Sequence, residues 1–155
     1  MSEENKVPSL IRQGQLTDEI SALLPQRVEG PWARLVYQHR RLTATAEGQL
    51  RVYREDGSSG TAFSPREVRR LFEELRSVMY VETVGTWFSA EWFLTRPTDG
   101  EIGVDVNFNY ELEPEWNTPV DPVMYALDLE KFPRSEESIP TWLKDKLRDA
   151  ERSPE

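Results

Sequence analysis

The sequence predicts an α+β domain, an antiparallel sheet of about four strands covered by helices in the order αββαββαα. Three observations carry this. Segments with period-two apolar alternation come in pairs, which favours hairpins over strands that alternate singly with helices. One central segment repeats its apolar residues at helical spacing. Turns rich in proline and glycine separate the segments.

Each element has its own signal. A short helix is expected from Thr17, an N-cap type, through Ile20, Leu23 and Leu24 until Pro25 stops it, with the first fifteen residues loosely ordered. From Trp32 to about Thr45, Ala33, Leu35 and Tyr37 alternate with Arg34, Val36 and Gln38, which predicts a strand. A second follows Gly48 at Leu50–Tyr53, and the segment from Asp56 to Gly60 reads as a turn or loop. Ser64, Pro65 and Glu67 form an N-cap, first-position proline and capping-box pattern. Behind it, Val68, Leu71, Phe72, Leu75, Val78 and Met79 mark the apolar face of a core helix. Thr86–Thr95 is strand-like, with Phe88, Ala90, Trp92 and Leu94 on one face and Trp87, Ser89, Glu91 and Phe93 on the other. Turn residues from Pro97 to Gly100 would fold it onto a strand over Glu101–Tyr110. Asp121 and Pro122 start a helix carrying Tyr125, Leu129 and Phe132 that Pro133 ends. A last helix starts near Ser138 or Pro140 with Trp142, Leu143 and Leu147 apolar, then gives way to a tail over 151–155. Residues 16–150 are thus expected to form a single domain.

Composition narrows the function. A chain of 155 residues with 37% hydrophobic content can bury one sizeable core. With 28 acidic against 19 basic residues, the formal charge is -9, which disfavours direct contact with nucleic acid or anionic membranes and favours a basic protein partner. Cysteine is absent, so thiolate zinc sites and cysteine nucleophiles are excluded. The N-terminal residues lack a secretory pattern and no apolar run approaches a membrane span, which together predict a cytoplasmic protein.

No catalytic constellation emerges. His39 stands among Tyr37, Gln38, Arg40 and Arg41 without a serine or cysteine partner motif and reads as a strand-surface histidine. Asp105, Asn107, Asn109 and Glu111 superficially resemble the start of a calcium loop. Such a loop needs glycine at its sixth position and glutamate at its twelfth, where this chain has Tyr110 and Trp116. Nucleotide-binding glycine motifs, a nucleophile elbow and an HExxH pair are likewise missing. No metal or cofactor is therefore expected. An enzyme would have to work from carboxylates such as Glu91, Asp105, Glu113 and Glu115 alone, in the manner of a small hydrolase.

The order of several short motifs resembles that of the YezG-like immunity proteins. These are the arginine-rich helix ending in Glu74-Leu-Arg-Ser-Val-Met79, the strand Gly85-Thr-Trp-Phe-Ser-Ala90, and the strand end Asn107-Phe-Asn-Tyr110. The loop Glu113-Pro-Glu-Trp116, the segment from Tyr125 through Asp128-Leu-Glu-Lys-Phe-Pro-Arg134, and Ile139-Pro-Thr-Trp-Leu143 complete the set. The resemblance spans about Thr17 to Leu147. Where that family usually carries aspartate after Phe-x-Tyr, this chain has Glu111. The resemblance implies a small, cytoplasmic, non-enzymatic antitoxin that binds and silences the toxin domain of a bacterial polymorphic toxin; a monomer or a 1:1 complex with the toxin is expected. The residues expected to meet the partner are Asp105, Asn107 and Asn109 on the polar strand face and Glu111, Glu113, Glu115 and Trp116 in the acidic loop. Aromatic residues beside carboxylates match the composition of interface hot spots. For the strand residues an ordinary half-solvated face is the competing reading, and for Trp116 it is packing against the last two helices. The alternative classes are a small carboxylate-based hydrolase and an acidic adaptor for another basic protein.

Overall fold

A computed structural model describes residues 7–97 and 100–152. Along the chain run α1 (Ser9–Leu23), β1 (Arg34–Leu42), β2 (Thr45–Tyr53), β3 (Ser59–Ala62), α2 (Glu67–Val78), β4 (Ser89–Thr95), β5 (Gly103–Asn109), α3 (Pro122–Lys131) and α4 (Thr141–Arg152). The class is α+β, with one antiparallel sheet in the order β3-β2-β1-β4-β5. The hairpins β1–β2 and β4–β5 are joined where β1 pairs with β4, so β1 lies at the centre.

Period-two alternation decides what each sheet face does. Leu35 and Tyr37 of β1, Leu50 and Val52 of β2, and Ala90, Trp92 and Leu94 of β4 point to one face and are buried beneath α1 and α2. Leu16 and Ile20 from α1 and Val68, Leu71, Phe72 and Leu75 from α2 complete this core. Phe72 is its hub. Its ring stacks on His39 at 4.4 Å and on Tyr37 at 5.4 Å, and meets Trp92 edge-on at 5.0 Å. A second cluster, Leu42, Phe88, Tyr125 and Leu143, lies where β1 ends and β4 begins, and packs α3 and α4 against that end of the sheet.

A buried ion pair ties the two clusters together. Arg76 of α2 donates from both terminal nitrogens to Asp128 of α3, at 2.6 and 2.8 Å, and from Nε to the Trp87 carbonyl at 2.6 Å. Asp128 Oδ1 also accepts from the Thr43 amide and hydroxyl, each at 2.7 Å. Every strong donor and acceptor of this buried set is thereby satisfied, which charged groups out of water require.

Several details depart from the sequence expectation. The sheet has five strands, because Ser59–Ala62 pairs with β2 from Leu50 to Tyr53. Small polar residues hide such an edge strand, since ladder hydrogen bonds rather than buried side chains hold it. Helix α1 starts at Ser9, so residues 9–15 are helical, while residues 1–6 and 153–155 lie outside the described set. Burial of Leu16 and Ile20 and a two-pronged Arg12–Glu74 pair to α2 extend it, and Thr17 donates to the Gln13 carbonyl instead of capping. The Ser64 capping box does not form. Helix α2 begins at Glu67 with Arg66 at its N-cap and no side-chain cap. Of the turn expected over Pro97–Gly100, residues 98 and 99 lie outside the described set.

Three buried side chains depart from their expected faces. The chain bends at Phe88 before β4 begins, so Trp87 joins the main core while Phe88 turns to the second cluster. His39, expected on the strand surface, is fully buried. Its odd position on β1 places it with Leu35 and Tyr37 on the core face.

Candidate functional site

The other sheet face carries the polar half of the alternation. Across β1, β4 and β5 the register aligns Val36 with Phe93 and Asp105, Gln38 with Glu91 and Asn107, and Arg40 with Ser89 and Asn109. All of these stay half-buried or exposed. Gln38 donates to Glu91 at 3.0 Å, so the middle row is bonded side chain to side chain.

The acidic loop after β5 arches over one end of this face. Asn109 shapes its start: Oδ1 accepts from the amides of Glu111 at 3.2 Å and Leu112 at 2.8 Å, and Nδ2 donates to Ser89 Oγ and the Leu112 carbonyl. Such side-chain to backbone bonds are how asparagine imposes a turn. Trp142 of α4 donates to the Glu111 carbonyl at 2.6 Å, and Glu47 of β2 accepts from the amides of Asn117 and Thr118 at 2.9 and 3.1 Å. The loop therefore crosses from β5 to β2 with both ends fastened.

Beneath the loop lies a cavity of about 260 Å³, whose walls include Gln38, Arg40, Glu91, Asn107, Glu113 and Glu115. Arg40 contributes a guanidinium whose side chain is 12% exposed, with Nη1 3.6 Å from Glu47 and without a hydrogen-bond partner among the described residues. Lys146 of α4 reaches Glu113 at 3.3 Å. Leu112, 73% exposed, adds an apolar knob to the rim.

The structure thus brings Asn107, Asn109, Glu113 and Glu115 together around one cavity. Asp105 sits further along the same face, in the row beyond Asn107 and outside the cavity wall, and Glu111 is exposed outside the cavity. Asn109 spends its amide on the loop itself. Trp116 is half-buried in the second cluster and donates to Tyr125 Oη at 2.9 Å, so its ring anchors the loop against α3 and α4. Gln38, Arg40, Glu91 and Leu112 complete the site, although sequence reasoning singled out only Glu91 among them. The available signal was the β1 alternation, which already set Gln38 on the face opposite Leu35 and Tyr37.

The motif residues behind the family resemblance mostly hold the architecture that presents this site. Arg134 donates to the carbonyls of Thr86, Tyr110 and Ser138, at 2.8–2.9 Å. Its side chain crosses Gly85, where an added Cβ would lie 2.3 Å from Nε, and Gly85 has a φ of 105° that favours glycine in any case. Asp128 holds Arg76, and Tyr125 receives Trp116. Burial pushes the Tyr125 and Tyr110 phenols above their ordinary pKa, so both remain neutral across the physiological range.

Among the described residues no group of three or more His, Cys, Asp or Glu side chains could hold a metal ion, and no helix is long and apolar enough to cross a membrane. No protein-family model and no curated protein matches the chain.

Proposed function

We propose that the protein is an immunity protein that binds a basic bacterial toxin domain in the cytoplasm and blocks its active site with the acidic loop and the adjoining open sheet face. The observation that carries this reading is the loop's construction. Its backbone is fastened at both ends while the side chains of Glu111, Leu112, Glu113 and Glu115 remain exposed. A prefastened loop loses little conformational freedom on binding, which is where much association free energy is otherwise lost. The formal charge of -9 supports the same reading, because toxins that act on polyanions need cationic clefts, and complementary charge accelerates encounter. The resemblance to YezG-like antitoxins adds its weight from the sequence side.

The reading requires a gene for a large secreted protein with a variable C-terminal domain directly upstream, and the test uses that C-terminal domain. Residual toxin activity should fall linearly with added protein and reach its floor near equimolar amounts, because blockade is stoichiometric. Association measured by stopped flow should slow as salt rises, since the Debye length shrinks from about 10 Å at 0.1 M to about 3 Å at 1 M. Failure to form a complex would sink the proposal. Turnover at far below equimolar amounts would instead promote the carboxylate hydrolase, for which Glu91, Glu113 and Glu115 around one cavity are the starting point.

A further inference from the structure

On the core side of the sheet, far in character from the acidic loop, a second cavity of about 310 Å³ opens between β2, β3 and the start of α2. Its walls carry Arg27, Arg66 and Arg69 and no aspartate or glutamate, in a chain whose formal charge is -9. All three arginines are exposed. Arg69 spends one Nη2 bond on the Ala46 carbonyl at 2.7 Å, and the Arg27 guanidinium lies 5.8 Å from the centre of the Phe63 ring, which is 78% exposed at the rim. The uncapped N-terminus of α2 adds partial positive charge at the same place.

An independent observation comes from the buried donors behind the cavity. Arg41 Nε donates to His39 Nε2 at 3.1 Å, and a guanidinium has no lone pair with which to accept. His39 Nε2 is therefore the acceptor of a neutral ring. Burial, with Arg41, Arg69, Arg76 and Arg40 nearby, holds the ring neutral well below the ordinary histidine pKa. Its proton accordingly sits on Nδ1 and points to Tyr37 Oη, 3.3 Å away. The Tyr37 hydroxyl, having accepted there, must send its own proton elsewhere. It lies over Gly48 on the cavity wall with the Ser64 hydroxyl beside it. Tyr37 and Ser64 both line the cavity, so the phenol proton has that space as an outlet. Three cations and a hydroxyl donor on a wall without a carboxylate, with Glu67 in the first turn of α2 outside that wall, are the donor set of a phosphate site.

We propose that this cavity binds a phosphomonoester, its phosphate held by Arg27, Arg66, Arg69 and the Tyr37–Ser64 hydroxyls, with Phe63 as the platform for an aromatic ring such as a nucleoside base. This assignment is independent of the toxin-binding reading and survives its failure. Calorimetry and amide NMR shifts at low salt, with adenosine monophosphate, inorganic phosphate and adenosine as separate probes, test it. The nucleotide should bind most tightly, inorganic phosphate more weakly and adenosine weakest of the three, with shifts centred on residues 62–69 and 46–48. The double variant Arg27→Gln/Arg66→Gln alters exposed side chains, keeps the fold, and should weaken nucleotide binding about tenfold or more, as expected on losing charge-assisted bonds. Phe63→Ala should bring the nucleotide down to the level of inorganic phosphate. Nucleotide affinity unchanged in the double variant, adenosine binding as tightly as the nucleotide, or no binding of any probe at millimolar concentration would overturn the site. Inorganic phosphate binding as tightly as the nucleotide would overturn the phosphomonoester assignment.

Discussion

Removing Asp128 should be among the most damaging single changes available to this chain. Arg76 is 1% exposed and Asp128 4%, and the carboxylate receives four bonds of 2.6–2.8 Å, two from Arg76 and two from Thr43. Asp128→Ala would leave a buried guanidinium without its counter-ion and two Thr43 donors without an acceptor. Stranding one partner of a buried pair costs roughly 3 to 5 kcal/mol. At about 2 to 4 °C per kcal/mol for a chain of this size, that lowers the melting temperature by roughly 6 to 20 °C. The double variant Arg76→Met/Asp128→Leu removes both charges and keeps much of the volume, so it should be markedly more stable than Asp128→Ala. Urea unfolding followed by circular dichroism, on wild type, Arg76→Met, Asp128→Leu and the double, measures the coupling directly. A cost below about 1 kcal/mol for Asp128→Ala, or a double variant whose loss equals the sum of the singles, would refute the claim that this pair joins the two clusters.

Three further outcomes are expected. Replacing Glu111, Glu113 and Glu115 together with glutamine should leave thermal unfolding nearly unchanged, because the loop is fastened mainly through its backbone, and should weaken protection of toxin-expressing cells; full protection at matched expression would move the interface elsewhere. Because burial depresses the folded-state pKa of His39, the unfolded chain binds a proton below about pH 6.5 that the native state refuses. Stability should therefore fall as pH drops from about 6.5 toward 5, by at most about 1.4 kcal/mol per unit from this residue, and His39→Gln should flatten that slope; equal slopes in the two proteins would show that His39 does not titrate on unfolding. Gly48→Ala would set a Cβ 2.1 Å from Tyr37 Oη, an overpacking expected to cost about 1 to 3 kcal/mol, and Tyr37→Phe should relieve part of it; a neutral Gly48→Ala melt would mean that the phenol is free to move.

Much of the fold is legible in the sequence because period-two and helical spacing report burial, and burial dominates this core. The alternation of Ile102 to Tyr110 correctly sets Asp105, Asn107 and Asn109 on the outward face, and the helical spacing of Val68, Leu71, Phe72 and Leu75 correctly marks the face that meets the sheet. What escapes is whatever long-range contacts decide. Nothing local says that Trp87 and Phe88 part at a bend, since only the arrival of α3 and α4 gives Phe88 a second apolar site. Nothing local makes Ser59–Ala62 a strand, because β2 supplies its hydrogen bonds. The β1 alternation already puts His39 on the face of Leu35 and Tyr37, whereas the partners that accommodate a buried histidine there, the Arg41 donor and the Phe72 ring from α2, are not given by spacing. At the site, the acidic character of the loop is plain in the sequence, whereas Arg40 beneath it and the tie from Glu47 come from strands about seventy residues earlier.

The fastening of the acidic loop separates shape from identity. Asn109, Glu47 and Trp142 hold the main chain of residues 111, 112, 117 and 118, and Trp116 with Tyr125 holds one side chain beyond the loop's tip. None of these contacts uses the side chains of Glu111, Leu112 or Glu115. Those positions can accept substitutions while the curve of the loop persists, so if the loop meets a toxin as proposed, a lineage could change partners without rebuilding its scaffold. Innovation at the tip and conservatism at its moorings would then be selected separately, and a swap of residues 111–115 between related chains should carry preference with it while leaving foldability behind.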